Sequence, residues 1–503
     1  MKDADLHLID AWRHDELSKD QFKLLEKKLD EDAELRSSFI ALSFLEDGLY
    51  EVSQKSGGYE MLHFQEEPKR ETKRNFFVGG MVASLILSFC SWLYFQYFYQ
   101  GHSDGEDHYS KITLPLLSIG KSGGEKVSAS TWLNQDVYSE INLNNGATIE
   151  IDGPGTVGLH SESGGAFYEG SLTARIETQD STFAVETAEI RFLDLGTEFS
   201  VRSIDNDILE VDVLDGEIEL QSRNRIPKYF WNFDTTNPSL QLGEETKSVD
   251  GLIGDGALSF HDARESYARI LGQTGKYVGS GEMSFSTGLS IETLFLSNWS
   301  TDGYDEFFRK EDGNHRILLS FQNDEDVGDY DFPEVPIGPK LSFGLHLDGF
   351  GYQELDMPLD GKQGRPTVRE ITNGQVWHLV AIYDSFRGRK SLWLNGKEVF
   401  GCDYPVGTMI LSGGPHEAVI GNHRNIEPFT GIIDEMALYS FALKKEEIEK
   451  HFYNVSRGLP YFGLDDSIIS QVSWLPLRIY QAGWKLHFNR LSGKLINSSY
   501  SPI

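Results

Sequence analysis

The sequence is poor in cysteine and in basic residues, and both shortages restrict what the protein can be. Only two cysteines, Cys90 and Cys402, occur among 503 residues, which excludes a disulfide framework, a CxxC redox pair and a cysteine-rich zinc site. Lysine and arginine total 45 against 78 aspartates and glutamates, which gives a formal net charge of −33. A chain this acidic repels the phosphate backbone. We therefore predict no nucleic-acid partner.

The short motifs of catalysis are also missing. The sequence contains no HExxH and no P-loop, and its fourteen histidines show no ligand spacing. It lacks the ExDxxE strand that places paired acids for glycan hydrolysis. Asp434 and Glu435 are adjacent, so a regular strand would point them to opposite faces. We predict no catalytic residue and no enzyme.

Composition favours several folded units that are rich in β structure. At ~150 residues per domain, the length of the chain suggests two to four units, each with its own core. Apolar residues make up 39% of the chain and aromatic residues 12%, which excludes wholesale disorder. Fifty glycines against seven methionines favour turn-rich β structure over long helices.

Long uncharged apolar runs are absent apart from one, at residues 75–98. This stretch, NFFVGGMVASLILSFCSWLYFQYF, has 24 residues and no charged side chain. At ~1.5 Å per residue, a helix of this length exceeds the ~30 Å hydrocarbon core of a bilayer. We predict one transmembrane helix in contact with membrane lipid, and the alternative is a buried helix of a soluble domain.

The flanks of this run orient it in the membrane. Residues 61–74 form a basic juxtamembrane linker, whereas Asp104, Glu106 and Asp107 follow the run. Under the positive-inside rule the N-terminus stays in the cytoplasm and the C-terminal region is extracytoplasmic. Four residues carry this orientation signal: Lys69, Arg70, Lys73 and Arg74.

Residues 1–60 are predicted to form a small cytoplasmic unit of three helices, because apolar positions recur there at three- and four-residue spacing. The string LIDAWRHDELSKDQFKLLEKKLDEDAELRSSF, residues 8–39, resembles the N-terminal segment of membrane-bound anti-sigma regulators of the FecR type. The resemblance implies a bacterial sigma factor of the extracytoplasmic-function class as partner, with Trp12 and Phe39 as contact residues. The alternative is a generic helical unit in which both rings pack in its core.

Residues 112–222 are predicted to form an antiparallel β domain. Apolar and polar residues alternate in ATIEIDG and in LEVDVLDGEIEL, and Asp215-Gly216 in the second string predicts a hairpin. The segment STFAVETAEIRFLDLGTEFSVRS, residues 181–203, resembles the core of the FecR domain, with its V-x-T and D-L-G-T-x-F-x-V runs. Gly196 would allow a sharp bend or a close approach of the backbone there. The resemblance implies an envelope module that senses or relays a signal.

Residues 227–455 carry a second β pattern. Asn395-Gly396 predicts a hairpin with a type I′ turn, and only residues 443–452 look helical. The ordered series W-H-x-V-A-x-x-Y-D, N-G, I-G-N and G-x-I-D-E resembles the LamG or concanavalin A-like jelly roll. The resemblance implies a β-sandwich that binds glycans or proteins, often with one structural calcium ion.

Candidate site residues in this second pattern are acids and aromatic rings. Asp234 and Asp434 are the candidate calcium ligands, with solvated surface carboxylates as the alternative, and we expect no other cofactor. The acidic run DEDVGDYD, residues 324–331, is either a cation site or a solvated loop. Four rings lie in Gly- or Asp-rich segments, where exposed rings would stack on a sugar: Trp299, Tyr304, Phe350 and Tyr352.

Two functions are compatible with this mainly β chain. The first is a single-pass regulator of the bacterial inner membrane, in which an envelope glycan or protein binds the periplasmic β domains and thereby controls a sigma factor held by the cytosolic helices. The second is a membrane-tethered carbohydrate- or protein-binding adhesion protein with no role in sigma-factor control. Residues 456–503 are a C-terminal extension that adds one or two edge strands and to which the sequence assigns no role.

Overall fold

The computed structural model describes residues 118–501, apart from 123–124, 129–130, 136–137, 162, 177–181, 206, 314, 325–329, 424 and 464–471. The three-helix unit, the membrane span and the basic linker lie outside these residues. Among the helices that are described, none combines the length and the apolar character needed to cross a membrane. Six predicted functional residues also fall outside the described part: Trp12, Phe39, Lys69, Arg70, Lys73 and Arg74.

Strands dominate the described residues, so the prediction of a mainly β protein is confirmed. Two helices accompany the strands in this part of the chain, α1 (Val368–Ile371) and α2 (Lys445–Val455). The strands are β1 (Ser118–Ser122), β2 (Glu125–Ser128), β3 (Thr131–Gln135), β4 (Ser139–Leu143), β5 (Ala147–Ser161), β6 (Gly164–Ile176), β7 (Ala184–Glu186), β8 (Ile190–Asp194), β9 (Glu198–Ser203), β10 (Ile208–Asp215), β11 (Glu217–Arg223), β12 (Tyr229–Trp231), β13 (Leu240–Leu242), β14 (Lys247–Val249), β15 (Ala257–Phe260), β16 (Ala268–Ile270), β17 (Gly288–Ser297), β18 (Asp305–Asp312), β19 (His315–Asp324), β20 (Gly338–Leu347), β21 (Gly351–Pro358), β22 (Trp377–Asp384), β23 (Arg389–Leu394), β24 (Lys397–Asp403), β25 (Ala418–Ile420), β26 (Gly431–Tyr439), β27 (Trp474–Gln481), β28 (Trp484–Asn489) and β29 (Leu495–Tyr500).

Strands β1–β11 and β27–β29 form sheet 1, which we call the first module. Its strand pairs are antiparallel except for β6 and β7. The alternation predicted from the sequence holds in β5, where Ile149 and Ile151 are fully buried and their neighbours are not. Sheet 1 folds over on itself, so that these apolar side chains meet in one core.

The D-L-G-T run forms a tight corner between β8 and β9. Oδ1 of the buried Asp194 accepts hydrogen bonds from the Gly196 N–H, at 2.8 Å, and from the Thr197 hydroxyl. Gly196 has a φ of +96°, which glycine adopts without a steric penalty. The predicted bend at Gly196 is therefore confirmed, and its cause is a side chain that caps the corner.

The predicted hairpin at Asp215-Gly216 is wrong. Within the described residues β10 pairs with β9 and β28, while β11 pairs with β8 and β27, so the two strands do not pair with each other. Both edges of each strand are already occupied. Asp215-Gly216 is instead a corner at which the chain crosses from one layer of sheet 1 to the other, with Gly216 at a φ of +68°.

The C-terminal extension returns to the first module and completes its core. β27 pairs with β11, β28 pairs with β10, and β29 pairs with β28. The turn between β27 and β28 stacks on the Gly216 corner, since the Ala482 N–H donates to the Gly216 carbonyl oxygen at 2.8 Å. The second module is thus inserted between β11 and β27. Three side chains of the returning strands are buried in the first core: Tyr480, Leu486 and Phe488.

The second module is a β-sandwich of two antiparallel sheets. In the described chain, sheet 2 consists of β12, β14, β15, β17, β22–β24 and β26, and sheet 3 of β13, β16, β18–β21 and β25. Their inner faces share one apolar core. Phe295 of sheet 2 meets Phe307 of sheet 3 edge-on, with ring centroids 4.9 Å apart.

Two local predictions for the second module are confirmed. Asn395 and Gly396 have φ values of +49° and +75°, as a type I′ turn requires, and they join the paired strands β23 and β24. The predicted helix at residues 443–452 is α2. This helix covers the outer face of sheet 2 and packs its buried Ile448 there.

Arg225, in the segment that joins β11 to β12, links the two modules. Its Nη1 donates to Glu189 Oε1 of the first module at 2.9 Å, and its Nη2 donates to Glu447 Oε2 on α2 at 2.6 Å. A second polar contact joins the buried hydroxyls of Tyr168 and Ser385, whose oxygens are 2.9 Å apart. The modules are therefore fixed to each other by side chains as well as by the returning strands.

Candidate functional site

An aromatic rim lies along β21, the edge strand of sheet 3. We give this name to Tyr330, Phe332 and Phe350, which are 51%, 40% and 41% exposed. Phe332 and Phe350 both pack against the buried Tyr404 ring, at centroid distances of 5.1 and 5.5 Å. Tyr330 lies edge-on to Tyr352 at 5.3 Å. Buried rings thus support the three exposed rings of the rim.

Backbone hydrogen bonds hold the rim in place. The Phe332 N–H donates to the Glu354 carbonyl oxygen at 2.8 Å, and the Glu354 N–H donates to the Tyr330 carbonyl oxygen at 2.7 Å. Phe350 occupies the turn between β20 and β21, and the glycine on either side of it has a φ of +76°. These bonds and this turn hold the backbone of all three rim residues against β21, so the positions of the three rings are fixed by the fold.

The predicted sugar-contact residues Phe350 and Tyr304 are exposed. Phe350 belongs to the rim. Tyr304 is 39% exposed and donates its hydroxyl hydrogen to Asp324 Oδ1 at 2.9 Å. Burial and the Asp324 carboxylate raise the pKa of Tyr304, so this hydroxyl stays protonated and keeps donating.

The other two predicted rings are buried. Tyr352 lies beneath the rim and donates its hydroxyl hydrogen to Glu354 Oε1 at 2.7 Å. Trp299 stacks on Phe321, with ring centroids 5.0 Å apart, inside the sandwich core. The structure therefore gives Tyr352 a supporting position under the rim and gives Trp299 a packing position.

An acid cluster lies next to the rim, on the outer face of sheet 3. Leu355 and Met357 of β21 point into the sandwich core, so Glu354 and Asp356 alternate to the outside. Asp331 joins these two, and one carboxylate oxygen from each of the three residues lies within 4.8 Å of the others. Burial raises the pKa of both Asp356 and Glu354. We use the name acid cluster for these three residues.

Asp234 and Asp434, the predicted calcium ligands, meet at one loop, residues 251–256. Asp234 Oδ1 accepts hydrogen bonds from two backbone N–H groups of the loop, at 2.5 and 2.9 Å. Asp434 Oδ2 accepts two more, at 2.8 and 3.0 Å. Burial raises the pKa of Asp434 to about 7, although these N–H donors act to lower it. N–H donors fit a loop anchor better than a cation site, so calcium binding at these two residues stays a prediction.

A polar cleft of about 400 Å³ opens beside Asp234. Its walls come from β13–β15 and from the segment that follows β12. Phe233, directly before Asp234, has a φ of +58°, a strained conformation for a bulky residue that marks this segment as closely constrained. The polar residues that line the cleft are Asp234, Thr235, Thr236, Asn237, Ser248, Asp250 and Asp255.

A buried polar network lies on the opposite side of the sandwich, under α2. The Glu292 carboxylate contacts His378 Nε2 at 2.7 Å, His451 Nδ1 at 3.0 Å and the Tyr439 hydroxyl at 2.6 Å. All four residues are buried. Burial acts to raise the pKa of Glu292, but the two histidines outweigh it and lower the pKa to about 2. The network therefore holds an ionised carboxylate in the interior.

Sequence reasoning missed two members of the rim and the whole Glu292 network. Tyr330 and Phe332 stand in the string DYDFPEVP, where rings between acids and prolines are a usable signal for an exposed loop. The network offers no such signal, because His378 and His451 lie 86 and 159 residues from Glu292.

The comparisons with known proteins concern the second module. A family model described as the concanavalin A-like lectin/glucanases superfamily matches residues 311–449, which confirms the predicted concanavalin A-like domain over that range. The matched residues make up less than half of the chain. No curated protein sequence matches the chain.

Three of the solved structures that are similar to this chain cover comparable shares of it. The binding domain of Paraclostridial mosquitocidal protein 1 is 14% identical, with a TM-score of 0.31 over 42% of this chain and 46% of its own. Domain 4 of AbnA, a GH43 extracellular arabinanase from Geobacillus stearothermophilus solved with arabinotriose, is 21% identical, with a TM-score of 0.31 over 44% of this chain and 97% of its own. The ligand-binding domain of botulinum neurotoxin serotype D, solved with N-acetylneuraminic acid, is 11% identical, with a TM-score of 0.29 over 42% and 45%. This chain spans less than half the length of the mosquitocidal domain.

Proposed function

We propose that the concanavalin A-like module binds carbohydrate at its aromatic rim. The observation that carries this proposal is the exposure of three rings along one strand, each resting on a buried ring or a fixed turn. An exposed apolar patch with polar neighbours is typical of an interaction site. Aromatic faces suit the apolar C–H surface of a sugar, while nearby acids and amides accept or donate to its hydroxyls.

The rim supports this proposal better than the polar cleft at Asp234 does. The cleft is concave, but its Asp234 carboxylate already accepts two N–H donors of the neighbouring loop. Leu242 is the only large apolar side chain exposed there among the described lining residues. The rim offers rings that are already ordered, so little side-chain entropy is lost when a ligand binds.

Removal of the rim rings is expected to abolish most of the affinity for a sugar. We expect Phe332→Ala and Phe350→Ala each to weaken binding about five- to tenfold, because a stacked ring contributes on the order of 1–1.5 kcal/mol. Binding of the full-length chain is first measured on a glycan array, and the best ligand is then titrated by calorimetry.

Tyr138→Ala is the matched control, since Tyr138 is an equally exposed ring on the first module. It should bind the sugar as tightly as the unaltered chain. An array without any bound glycan, or rim variants that bind like the control, would contradict the proposal.

We propose further that the chain is a single-pass protein of the bacterial inner membrane whose cytosolic helices control an extracytoplasmic-function sigma factor. The order of the sequence parts supports this, and so does the fixed contact between the modules through Arg225. A rigid pair of modules can transmit ligand binding toward the membrane span. Co-purification of the full-length chain with the sigma factors of its host tests this step, and the adhesion alternative expects none of them to be retained.

A further inference from the structure

We propose that the acid cluster is a binding site for a hard divalent cation of the calcium class, formed by Asp331, Glu354 and Asp356. Three oxygen donors converge there within 4.8 Å, and the set contains no nitrogen or sulfur ligand. Carboxylate oxygens are the ligands that Ca²⁺ prefers, whereas zinc and copper sites draw on histidine and cysteine. The site is separate from the predicted pair Asp234 and Asp434.

Lys340 is the rival explanation for the cluster, because its ammonium can neutralise acids without any metal ion. Its Nζ contacts Asp331 Oδ2 at 3.1 Å, Asp356 Oδ2 at 3.3 Å and Asp324 Oδ2 at 3.3 Å. A single ammonium therefore faces three aspartates, with Glu354 next to them. One ammonium cannot neutralise all of these carboxylates, so any further carboxylate that ionises carries an uncompensated charge in the interior, which is costly.

Unpartnered oxygens supply the second observation. The Oδ1 atoms of Asp331 and Asp356 are buried and have no hydrogen-bond partner, whereas their Oδ2 atoms contact Lys340. The Ser342 hydroxyl, directly across from Asp356 in the β20–β21 register, is also buried without a partner. Buried polar atoms are almost always satisfied. Lys340 thus uses one oxygen of each aspartate and leaves the other for a cation.

The position of the site indicates what the cation does. Asp331 lies between the rim residues Tyr330 and Phe332, and Glu354 and Asp356 belong to β21. A cation shared by these carboxylates ties the rim segment to the sheet edge through side chains, in addition to the two backbone hydrogen bonds. The site therefore stiffens the rim, and this inference does not depend on what the rim binds.

Terbium luminescence tests the site directly. The Tyr352 hydroxyl donates to Glu354 at 2.7 Å, so tyrosine excitation should sensitise Tb³⁺ held at the cluster. We expect the chelator-treated full-length chain to give saturable Tb³⁺ emission that Ca²⁺ competes away. Asp356→Asn should weaken Tb³⁺ binding at least about tenfold, and the milder Ser342→Ala, which leaves every carboxylate in place, should weaken it measurably.

Asp234→Asn is the control, because it removes an acid from the other predicted cation site. It should leave the Tb³⁺ emission unchanged. Absence of saturable emission from the unaltered chain overturns the proposal, and so does emission that survives both Asp356→Asn and Ser342→Ala. Emission lost in Asp234→Asn but kept in Ser342→Ala would assign the cation to the loop at residues 251–256 instead.

Discussion

Phe488→Ala is expected to lower the free energy of unfolding of the first module by about 3–5 kcal/mol, the usual cost of a phenylalanine-sized cavity in a core. Phe488 comes after the second module in sequence, yet it is buried in the first core with its ring 5.5 Å from that of Phe192. Denaturant unfolding followed by hydrogen exchange of β10 and β11 peptides measures the loss, because both strands pair with the returning segment.

Ile496→Ala is the control for this prediction. Ile496 lies on β29 of the same returning segment but is exposed, so its truncation should change the free energy of unfolding by less than about 0.5 kcal/mol. If β10 and β11 peptides keep their protection in Phe488→Ala, the C-terminal strands are an appendage and the inserted arrangement of the second module is wrong.

Glu292→Gln is expected to destabilise the second module by about 3 kcal/mol. The carboxylate accepts from Tyr439 and contacts both His378 and His451 in the interior. An amide keeps the shape but turns one acceptor oxygen into a donor, which leaves a buried donor facing another donor. Thermal unfolding of the full-length chain measures the effect. The control is Glu449→Gln on the exposed face of α2, which should change the free energy of unfolding by less than about 0.5 kcal/mol.

The stabilisation that Glu292 contributes should be lost at acid pH. Its pKa is lowered from an ordinary value of 4.5 to about 2 in the folded chain, so the contribution is fully present above pH 4.5 and is lost as the pH falls toward 2. The stability difference between the unaltered chain and Glu292→Gln should therefore shrink over that window. A difference that stays constant down to pH 2 would mean that Glu292 is not held ionised by its histidines.

Local signals in the sequence predicted local structure well. Asn395-Gly396 predicted a type I′ hairpin because both turn positions need positive φ, and the strands on either side, β23 and β24, do pair with each other. Helical periodicity at residues 443–452 predicted α2, and the D-L-G-T run predicted the bend at Gly196. In each case the information lies within a few residues of the structure that it determines.

Signals that depend on distant partners failed. Asp215-Gly216 has the same favourable turn residues as Asn395-Gly396. However, β10 and β11 on either side of it pair with β28 and β27, which come more than 250 residues later. The edge-strand prediction for residues 456–503 identified the strands but not their partners. A sequence pattern specifies which face of a strand is apolar, and it does not specify which strand lies beside it.

The candidate site was predictable only in part for the same reason. Phe350 stands in a Gly-rich turn, which is a local signal for exposure, and it is in the rim. Trp299 stands in a similar setting but is buried in the sandwich core, where it stacks on Phe321. The acid run at residues 324–331 predicted either a cation site or a solvated loop, and only the fold brings Asp331 next to Glu354 and Asp356.

A crystal structure of the chain with the oligosaccharide that it binds best is the most direct test of the central claim, carbohydrate binding at the aromatic rim. The account predicts a sugar ring stacked on Phe332 or Phe350, with its hydroxyls directed toward the polar side chains beside β21. A sugar seated in the cleft at Asp234 and Asp255, with the rim rings free, would contradict it.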